Sequence, residues 1–213
     1  MTESLTWTLP HAWPDRAALR REPVAGPSVD KGLAELDETA LVAACLAGRA
    51  EAFDVIVERH RRAVYQLCYR FVDNHEDASD LAQDVFLRAY RSLRGFRGHA
   101  SLRTWLHRIA VNVCLNRVGA KAPQTVPIDE GEPIEARAES ATERMLRAER
   151  AARVRAAIAT LPRKQRATLI LRMYHELSHQ EIADVLGSSV GAVKANFFHA
   201  LNNLKKLLGN EVL

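Results

Sequence analysis

The strongest constraint on the fold is the segment 177–194, which specifies two short helices and a tight turn between them. Ser178 and Glu181 have the three-residue spacing at which each side chain can cap the other's backbone N–H at a helix start. Gly187 supplies the left-handed conformation that ends such a helix, and Ser189 can cap the next helix. Both helices have one apolar face, formed by Ile182, Ala183, Val185 and Val193. The segment predicts a helix-turn-helix.

Clustered positive charge indicates what this motif contacts. A helix-turn-helix places its second helix in the DNA major groove, about 12 Å wide, where its early residues reach base edges. Residues 148–213 carry ten basic and five acidic side chains, and residues 88–118 contain seven arginines and no acidic residue. Such one-signed stretches suit a polyanion. An ordinary helical hairpin is the alternative, and the basic surroundings favour DNA binding over it.

The whole chain predicts an all-α protein with two small helical domains joined by a flexible linker. Residues 1–37 hold four of the eight prolines and lack periodicity, which predicts a disordered extension. Apolar residues recur at three- and four-residue steps through residues 38–118, the first predicted domain. The acidic, proline-containing stretch 119–142 predicts the linker. Residues 143–210 form the second predicted domain, which contains the helix-turn-helix.

Helix boundaries follow from caps and breakers. We expect Asp37 to cap a short helix that ends before Gly48, and Ser101 to cap a helix continuing through Cys114. Pro162 suits the start of another helix. The remaining predicted helices span about 51–72, 76–93, 143–160, 163–175, 178–185 and 189–207.

Several classes of protein are disfavoured by the sequence. No run of about 18 apolar residues is long enough to span a membrane, and the amino terminus lacks the basic and apolar regions of a secretory signal. Cys45, Cys68 and Cys114 are far apart, as expected of core residues in a reducing cytoplasm. Cys114 with His107 is only weakly suggestive of zinc, so we expect no metal.

Enzyme motifs are also missing from the sequence. It contains no phosphate-binding glycine loop, no HExxH and no nucleophile elbow, so we expect no catalytic residues and no cofactor. Asp80 and Asp84 have the chemistry of metal ligands, but they belong to a polar stripe that a docking surface explains better.

Two blocks of the sequence together resemble the sigma-70 family of RNA polymerase sigma factors, in its extracytoplasmic-function branch. Leu161-Pro162, Leu171-Arg172 and the run 177–194 are similar to region 4 of that family. The run 77–90 resembles its polymerase-docking helix, and the run 96–112 resembles its promoter-melting segment, both in region 2. The two blocks cover about 150 of the 213 residues, in family order.

The resemblance implies a non-catalytic subunit that binds core RNA polymerase, recognises −10 and −35 promoter elements and promotes initiation. It implies polymerase contacts by Asp77, Asp80, Leu81, Gln83, Asp84, Phe86 and Arg88. It implies −10 recognition and strand melting by Phe96, Arg97, Ser101, Arg103, Trp105, Arg108, Asn112 and Asn116. It implies −35 contacts by Arg166, Ser178, Ser189, Lys194, Asn196, Phe198 and His199.

The chemistry of these residues agrees with the implied roles. Asp80, Gln83, Asp84 and Arg88 recur at three- or four-residue steps, which aligns them on one helix face, although a solvated charged face explains the same pattern. Stacking of a base on an aromatic ring contributes about 1–3 kcal/mol, and Phe96 is suited to it, whereas we expect Trp105 to belong partly to the core.

The implied partners are the clamp and flap regions of core polymerase, promoter DNA and an anti-sigma factor, in the cytoplasm and without membrane insertion. A stand-alone helix-turn-helix regulator with a helical sensor domain is the alternative, and it would bind duplex DNA without polymerase. Residues 1–37 either alter the anti-sigma partnership or reflect a mis-assigned start, and the sequence does not distinguish these.

The recognition helix departs from the family pattern, and the departure predicts a changed −35 preference. Many relatives carry arginine where Asn196, His199 and Leu201 stand. Asparagine pairs with adenine and arginine with guanine, so Asn196→Arg should shift the preferred −35 base towards guanine in a promoter-library transcription assay. An unchanged −35 preference would refute the assignment of Asn196 as a base reader.

Overall fold

The computed structural model describes residues 31–98, 100–120 and 141–209, and the all-α prediction is confirmed for them. These residues form helices joined by short turns and contain no strand. The helices are α1 Lys31–Ala34, α2 Glu38–Leu46, α3 Glu51–Val72, α4 His75–Ser92, α5 Leu102–Ala120, α6 Ala141–Thr160, α7 Arg163–Tyr174, α8 His179–Leu186 and α9 Val190–Leu208.

The predicted caps set the helix boundaries. Asp37 accepts a hydrogen bond from the N–H of Ala40 (2.7 Å), and Ser189 accepts one from Ala192 (3.2 Å). Ser178 and Glu181 form the reciprocal capping box, with distances of 2.8 and 3.2 Å. Gly187 ends α8 in the left-handed conformation, with φ 57° and ψ 45°. Because these signals are local, they place each helix start within a residue or two of its predicted position.

Two predicted segments fall partly outside the described residues. Residues 31–37 of the predicted extension include α1, whose Leu33 is only 1% exposed, so this part of the extension is structured. A four-residue helix is too short to produce a visible apolar period. The predicted linker 119–142 overlaps the ends of α5 and α6 by two residues each. Residues 1–30 and 121–140 lie outside the described residues.

Backbone contacts divide the chain into two compact units, Met1–Arg59 and His60–Leu213, with the boundary inside α3. In the first unit, α2 and the start of α3 bury Leu41, Phe53 and Ile56. The Arg59 guanidinium donates to the carbonyls of Ala34 and Leu36, both at 2.7 Å. It thereby satisfies carbonyls at the end of α1 that the short helix leaves unpaired.

The second unit contains the remaining helices around one apolar core. Helix α4 packs on α5, α5 packs on α8, and α6, α7 and α8 pack on α9. The inner face of α4 is formed by Ala78, Leu81, Ala82, Val85, Phe86 and Ala89. Cys68 and Cys114 are fully buried, and Cys45 is half-buried. Contact with the Cys68 thiol, together with burial, raises the pKa of the Cys114 thiol.

No helix in the described parts of the chain is long and apolar enough to cross a membrane. Over the same residues, no group of three His, Cys, Asp or Glu side chains is arranged to hold a metal ion.

Two buried histidines lie where α5 meets the end of α7. His107 is 1% exposed and His175 is 7% exposed, and their ring centroids are 5.2 Å apart in an edge-to-face arrangement. Neither ring nitrogen of His107 has a hydrogen-bond partner among the described residues. Burial, reinforced by neighbouring positive charge, lowers the pKa of His107 to about 3 and that of His175 to about 4. Both rings are therefore neutral at physiological pH.

These histidines should make stability fall as the pH drops below 6.5. In that range the unfolded chain takes up protons on both rings, whereas the folded chain does so only near the lowered pKa values. Each neutral ring should therefore cost about 2 kcal/mol of unfolding free energy between pH 7.5 and pH 5.0. Urea unfolding at the two pH values measures this loss of unfolding free energy. In His107→Leu the loss should be smaller by the contribution of one histidine.

His199→Leu is the matched control, because it replaces an exposed histidine by the same side chain. Equal pH dependence in His107→Leu and in the unaltered chain would contradict the assignment.

Candidate nucleic-acid interface

The loop that precedes α5 is organised around an aromatic pair. A 3-10 turn, Leu93–Gly95, follows α4, and the N–H of Phe96 then donates to the carbonyl of Leu93 at 3.0 Å. The Phe96 ring lies against Trp105 of α5, with centroids 5.3 Å apart and planes inclined by 54°. Gly98 has φ 71°, a backbone conformation that favours glycine and turns the loop back towards the helix.

Ser101 fixes the start of α5 beside this loop, as predicted. Its hydroxyl accepts a hydrogen bond from the N–H of Thr104 at 3.1 Å and lies 2.8 Å from the Thr104 hydroxyl. This cap holds the first turn of α5, which carries Trp105 and leads to Arg108. Ser101 therefore has a positioning role, and its direct contact with DNA stays a prediction.

A cavity of about 250 Å³ opens between the loop and α5. It is small beside the roughly 300–1,000 Å³ of sites for drug-sized ligands, which suits a group the size of one nucleobase. Two aromatic rings and two guanidinium groups contribute to its wall, so both stacking and phosphate attraction are available. The lining residues are Gly95, Phe96, Arg97, Gly98, Ala100, Thr104, Trp105, Arg108 and Asp184.

The structure thus brings together four of the residues implied in −10 recognition, Phe96, Arg97, Trp105 and Arg108. Trp105 is half-buried, in agreement with its predicted share in the core. Asn112 and Asn116 lie further along α5 and are exposed, outside the cavity wall. Arg103 is exposed, but its guanidinium donates to the carbonyl of His175 at 3.2 Å.

The polar stripe on α4 is present on the helix surface. Asp80 is exposed, and Gln83 and Asp84 are half-exposed. Arg88 pairs with Asp84 at 2.9 Å, and this hydrogen-bonded contact raises the pKa of Arg88. Asp77 pairs with Arg117 of α5 at 2.6 Å, so its carboxylate already links α4 to α5. Because the Arg88–Asp84 pair is exposed, it adds little to stability.

Two residues implied in polymerase contact are buried. Leu81 is 7% exposed and Phe86 is 3% exposed, and both face the core against α5. Their side chains support the helix and are not available on its surface. Sequence reasoning missed two exposed residues on α4, Leu87 and Tyr90, which are 40% and 44% exposed. The signal was available, since both fall outside the apolar period of the inner face.

The recognition helix α9 presents its predicted outer face. Lys194 and His199 are exposed, Asn196 is half-exposed, and Phe198 is 62% exposed, with its ring 5.8 Å from that of His199. Val193 and Ala200 lie on the opposite face and are fully buried. Ser178 and Ser189 cap α8 and α9, so their established role is positional and their contact with DNA stays a prediction.

Arg166, implied in −35 contact, is buried in this structure. Arg166 is only 7% exposed, and its guanidinium donates to the carbonyl of Phe71 at the end of α3 and to that of Ala159 at 3.4 Å. Burial lowers the pKa of this guanidinium. Arg166 places a positive charge where the last carbonyls of α3 are unpaired, which is a stabilising position.

Comparison with known proteins identifies similar chains. The Sigma-70 region 2 family model matches residues 56–123, and the Sigma-70, region 4 model matches residues 151–204. The RNA polymerase sigma-H factor of Pseudomonas aeruginosa is 35% identical over 170 residues, which cover 76% of this chain and 88% of the relative. The ECF RNA polymerase sigma factor SigM of Mycobacterium tuberculosis is 36% identical over 179 residues, covering 84% and 88%.

A solved structure is similar as well. CnrH, in its complex with the cytosolic domain of CnrY, matches with a TM-score of 0.59 and 28% sequence identity. The match covers 81% of this chain and 97% of CnrH.

The burial of Arg166 predicts a loss of stability when it is replaced. Arg166→Met should lower the free energy of unfolding by about 1–3 kcal/mol, because it leaves a buried carbonyl without its donor. Urea unfolding measures the change, and Lys164→Met is the matched control, because Lys164 lies exposed on the same helix. Unaltered stability with weakened binding to duplex DNA would instead restore Arg166 to the DNA surface.

Proposed function

The chain belongs to the extracytoplasmic-function branch of the sigma-70 family and is an RNA polymerase sigma factor, and we propose that residues 38–118 form its region 2 and residues 143–210 its region 4. Residues 119–142 then connect the two and span the distance between the −10 and −35 elements. Two small DNA-binding modules on a tether gain combined affinity only when a larger assembly fixes their spacing. Core polymerase supplies that spacing.

Region 2 captures one unpaired base of the −10 element in the cavity beside α5. The single observation that carries this proposal is the junction of Phe96, Trp105, Arg97 and Arg108 around a cavity of about 250 Å³. The rings offer a stacking surface and the guanidinium groups neutralise the adjacent phosphates. A captured base favours strand opening, since it is no longer available to its partner strand. Asn112 and Asn116 extend the contact along α5.

The outer face of α4 docks on the polymerase clamp. Asp80, Gln83, Asp84 and Arg88 provide its polar contacts, and the exposed Leu87 and Tyr90 add apolar area. Exposed aromatic and aliphatic side chains at the centre of a polar rim are typical of protein interfaces.

Region 4 reads the −35 element through α9. Lys194 contacts phosphate, and Asn196, Phe198 and His199 lie on the face that enters the major groove. The Ser189 cap fixes how the first turn of α9 approaches the duplex.

The proposed partners are core RNA polymerase, through its clamp and flap, promoter DNA and an anti-sigma factor, all in the cytoplasm. The complex of CnrH with the cytosolic domain of CnrY supports binding of a regulatory protein by a chain of this shape. No catalytic step is assigned to the chain itself. A stand-alone regulator is the less favoured function, since the similar chains are sigma factors.

Run-off transcription on a promoter library tests this proposal. Bacterial core polymerase with the chain should start transcripts at discrete promoters that share −10 and −35 elements, whereas core polymerase alone should not. Phe96→Ala should reduce transcripts from duplex templates by about 5- to 150-fold, which corresponds to the loss of one base stack.

A template with a pre-opened, mismatched −10 region provides the control for that variant. It should restore most of the Phe96→Ala transcripts, because the strands no longer need to be held apart. A chain that binds core polymerase without redirecting transcript starts would refute the proposed function. An equal defect on pre-opened and duplex templates would refute the role of Phe96 in opening.

A further inference from the structure

We propose that Phe198 and Leu201 of α9 select thymine in the −35 element by apolar contact with its 5-methyl group. The inference rests on the proposed function of α9 and deepens it, because it assigns a base and the side chains that select it. Its basis is a row of four exposed side chains, which we call the α9 stripe. The stripe consists of Lys194, Phe198, Leu201 and Lys205.

The spacing of the α9 stripe places its four side chains along one side of the helix. Successive members are four, three and four residues apart, and residues at those steps are neighbours on a helix surface. The buried face of α9 is a different one, formed by Val193, Ala200 and Leu204. The stripe therefore faces outward and is not part of the core.

Two large apolar side chains occupy the middle of the α9 stripe. Phe198 is 62% exposed and Leu201 is 36% exposed. The neighbouring Phe197 is half-buried, and its ring centroid lies 6.0 Å from that of His179 on α8. Helix α9 thus directs one phenyl ring towards α8 and the other outward. Burial of Phe198 and Leu201 against a partner is favourable, because it removes apolar surface from water.

The two lysines of the stripe indicate that this partner is duplex DNA. Lys194 and Lys205 are 11 residues apart, which corresponds to about 16 Å along the helix axis at a rise of about 1.5 Å per residue. The major groove is about 12 Å wide. A helix that crosses the groove therefore brings one lysine to the phosphates on each side, and these contacts position the helix without selecting a base.

The apolar side chains between the lysines favour one base. In the major groove only thymine presents a methyl group, whereas the other bases present hydrogen-bond donors and acceptors. Neither Phe198 nor Leu201 can pair with those polar groups, and a buried polar group without a partner is unfavourable. Burial of one methyl group contributes a factor of about four to an equilibrium constant. The α9 stripe therefore favours thymine.

Replacement of thymine by deoxyuridine tests the inference, because it removes the 5-methyl group and keeps the hydrogen-bonding pattern of the base. The probe is the most active promoter of the library, in which each −35 thymine, on either strand, is replaced in turn. Each duplex competes with the fluorescein-labelled unaltered promoter for core polymerase carrying the full-length chain, and fluorescence anisotropy gives the relative affinities. At least one replacement should lower the affinity by about fourfold. That loss should disappear in Leu201→Ala or in Phe198→Ala, whichever side chain covers the methyl group.

Leu207→Ala is the matched control, because Leu207 is exposed on the same helix but lies about 120° around its axis from Leu201. It should respond to deoxyuridine like the unaltered chain. An unchanged response in both stripe variants would overturn the inference, as would no response in the unaltered chain or a −35 element without thymine.

Two further outcomes separate this inference from its alternatives. Weaker binding of core polymerase by a stripe variant, with an unchanged response to deoxyuridine, would overturn the inference and assign the α9 stripe to a protein partner. If the unaltered chain with core polymerase binds a promoter with a scrambled −35 element equally well, the proposed −35 reading by α9 fails, and this inference with it. A loss of affinity on scrambling without any response to deoxyuridine would overturn the selection of thymine alone.

Discussion

Arginines that donate to backbone carbonyls join the two predicted domains within the unit His60–Leu213. The contacts at His175 and Phe71 satisfy acceptors at or near the end of a helix, where the helix's own N–H groups no longer reach. The pairs are Arg103 with His175, Arg163 with Leu115 and Arg166 with Phe71, and Arg155 adds an ion pair with Asp73 at 3.0 Å. Helices α5, α7 and α8 have their observed arrangement because these acceptors and the apolar core are satisfied together.

The same cationic residues that suit a nucleic acid thus have internal acceptors. Arg103 occupies a carbonyl, and Arg97 and Arg108 share their cavity with the Asp184 carboxylate. The cationic side chains of a DNA-binding protein repel one another when DNA is absent, unless acceptors within the protein pair with them. Internal acceptors lower the self-repulsion of that charge.

Local structure could be read from the sequence, whereas long-range pairing could not. Asp37, Ser178 and Ser189 act within three residues of their own positions, so their caps were predictable from spacing. The contact between Arg166 and Phe71 joins residues 95 positions apart. The spacing of apolar residues along the sequence does not predict a contact between positions so far apart. Arg166 was therefore assigned to DNA contact. The family resemblance implied surface contacts for Leu81 and Phe86. The apolar period of α4, however, places both residues on its buried face.

The neutral character of these carbonyl acceptors makes the contacts between arginines and carbonyls respond to ionic strength in a characteristic way. Mobile ions screen the attraction between an arginine and a phosphate strongly, since a bound polyanion is surrounded by counterions that must be released. They weaken a hydrogen bond from Arg103 to an uncharged carbonyl far less. Concentrated salt therefore favours the internal acceptors over the nucleic acid, and dilute buffer shifts the competition towards DNA.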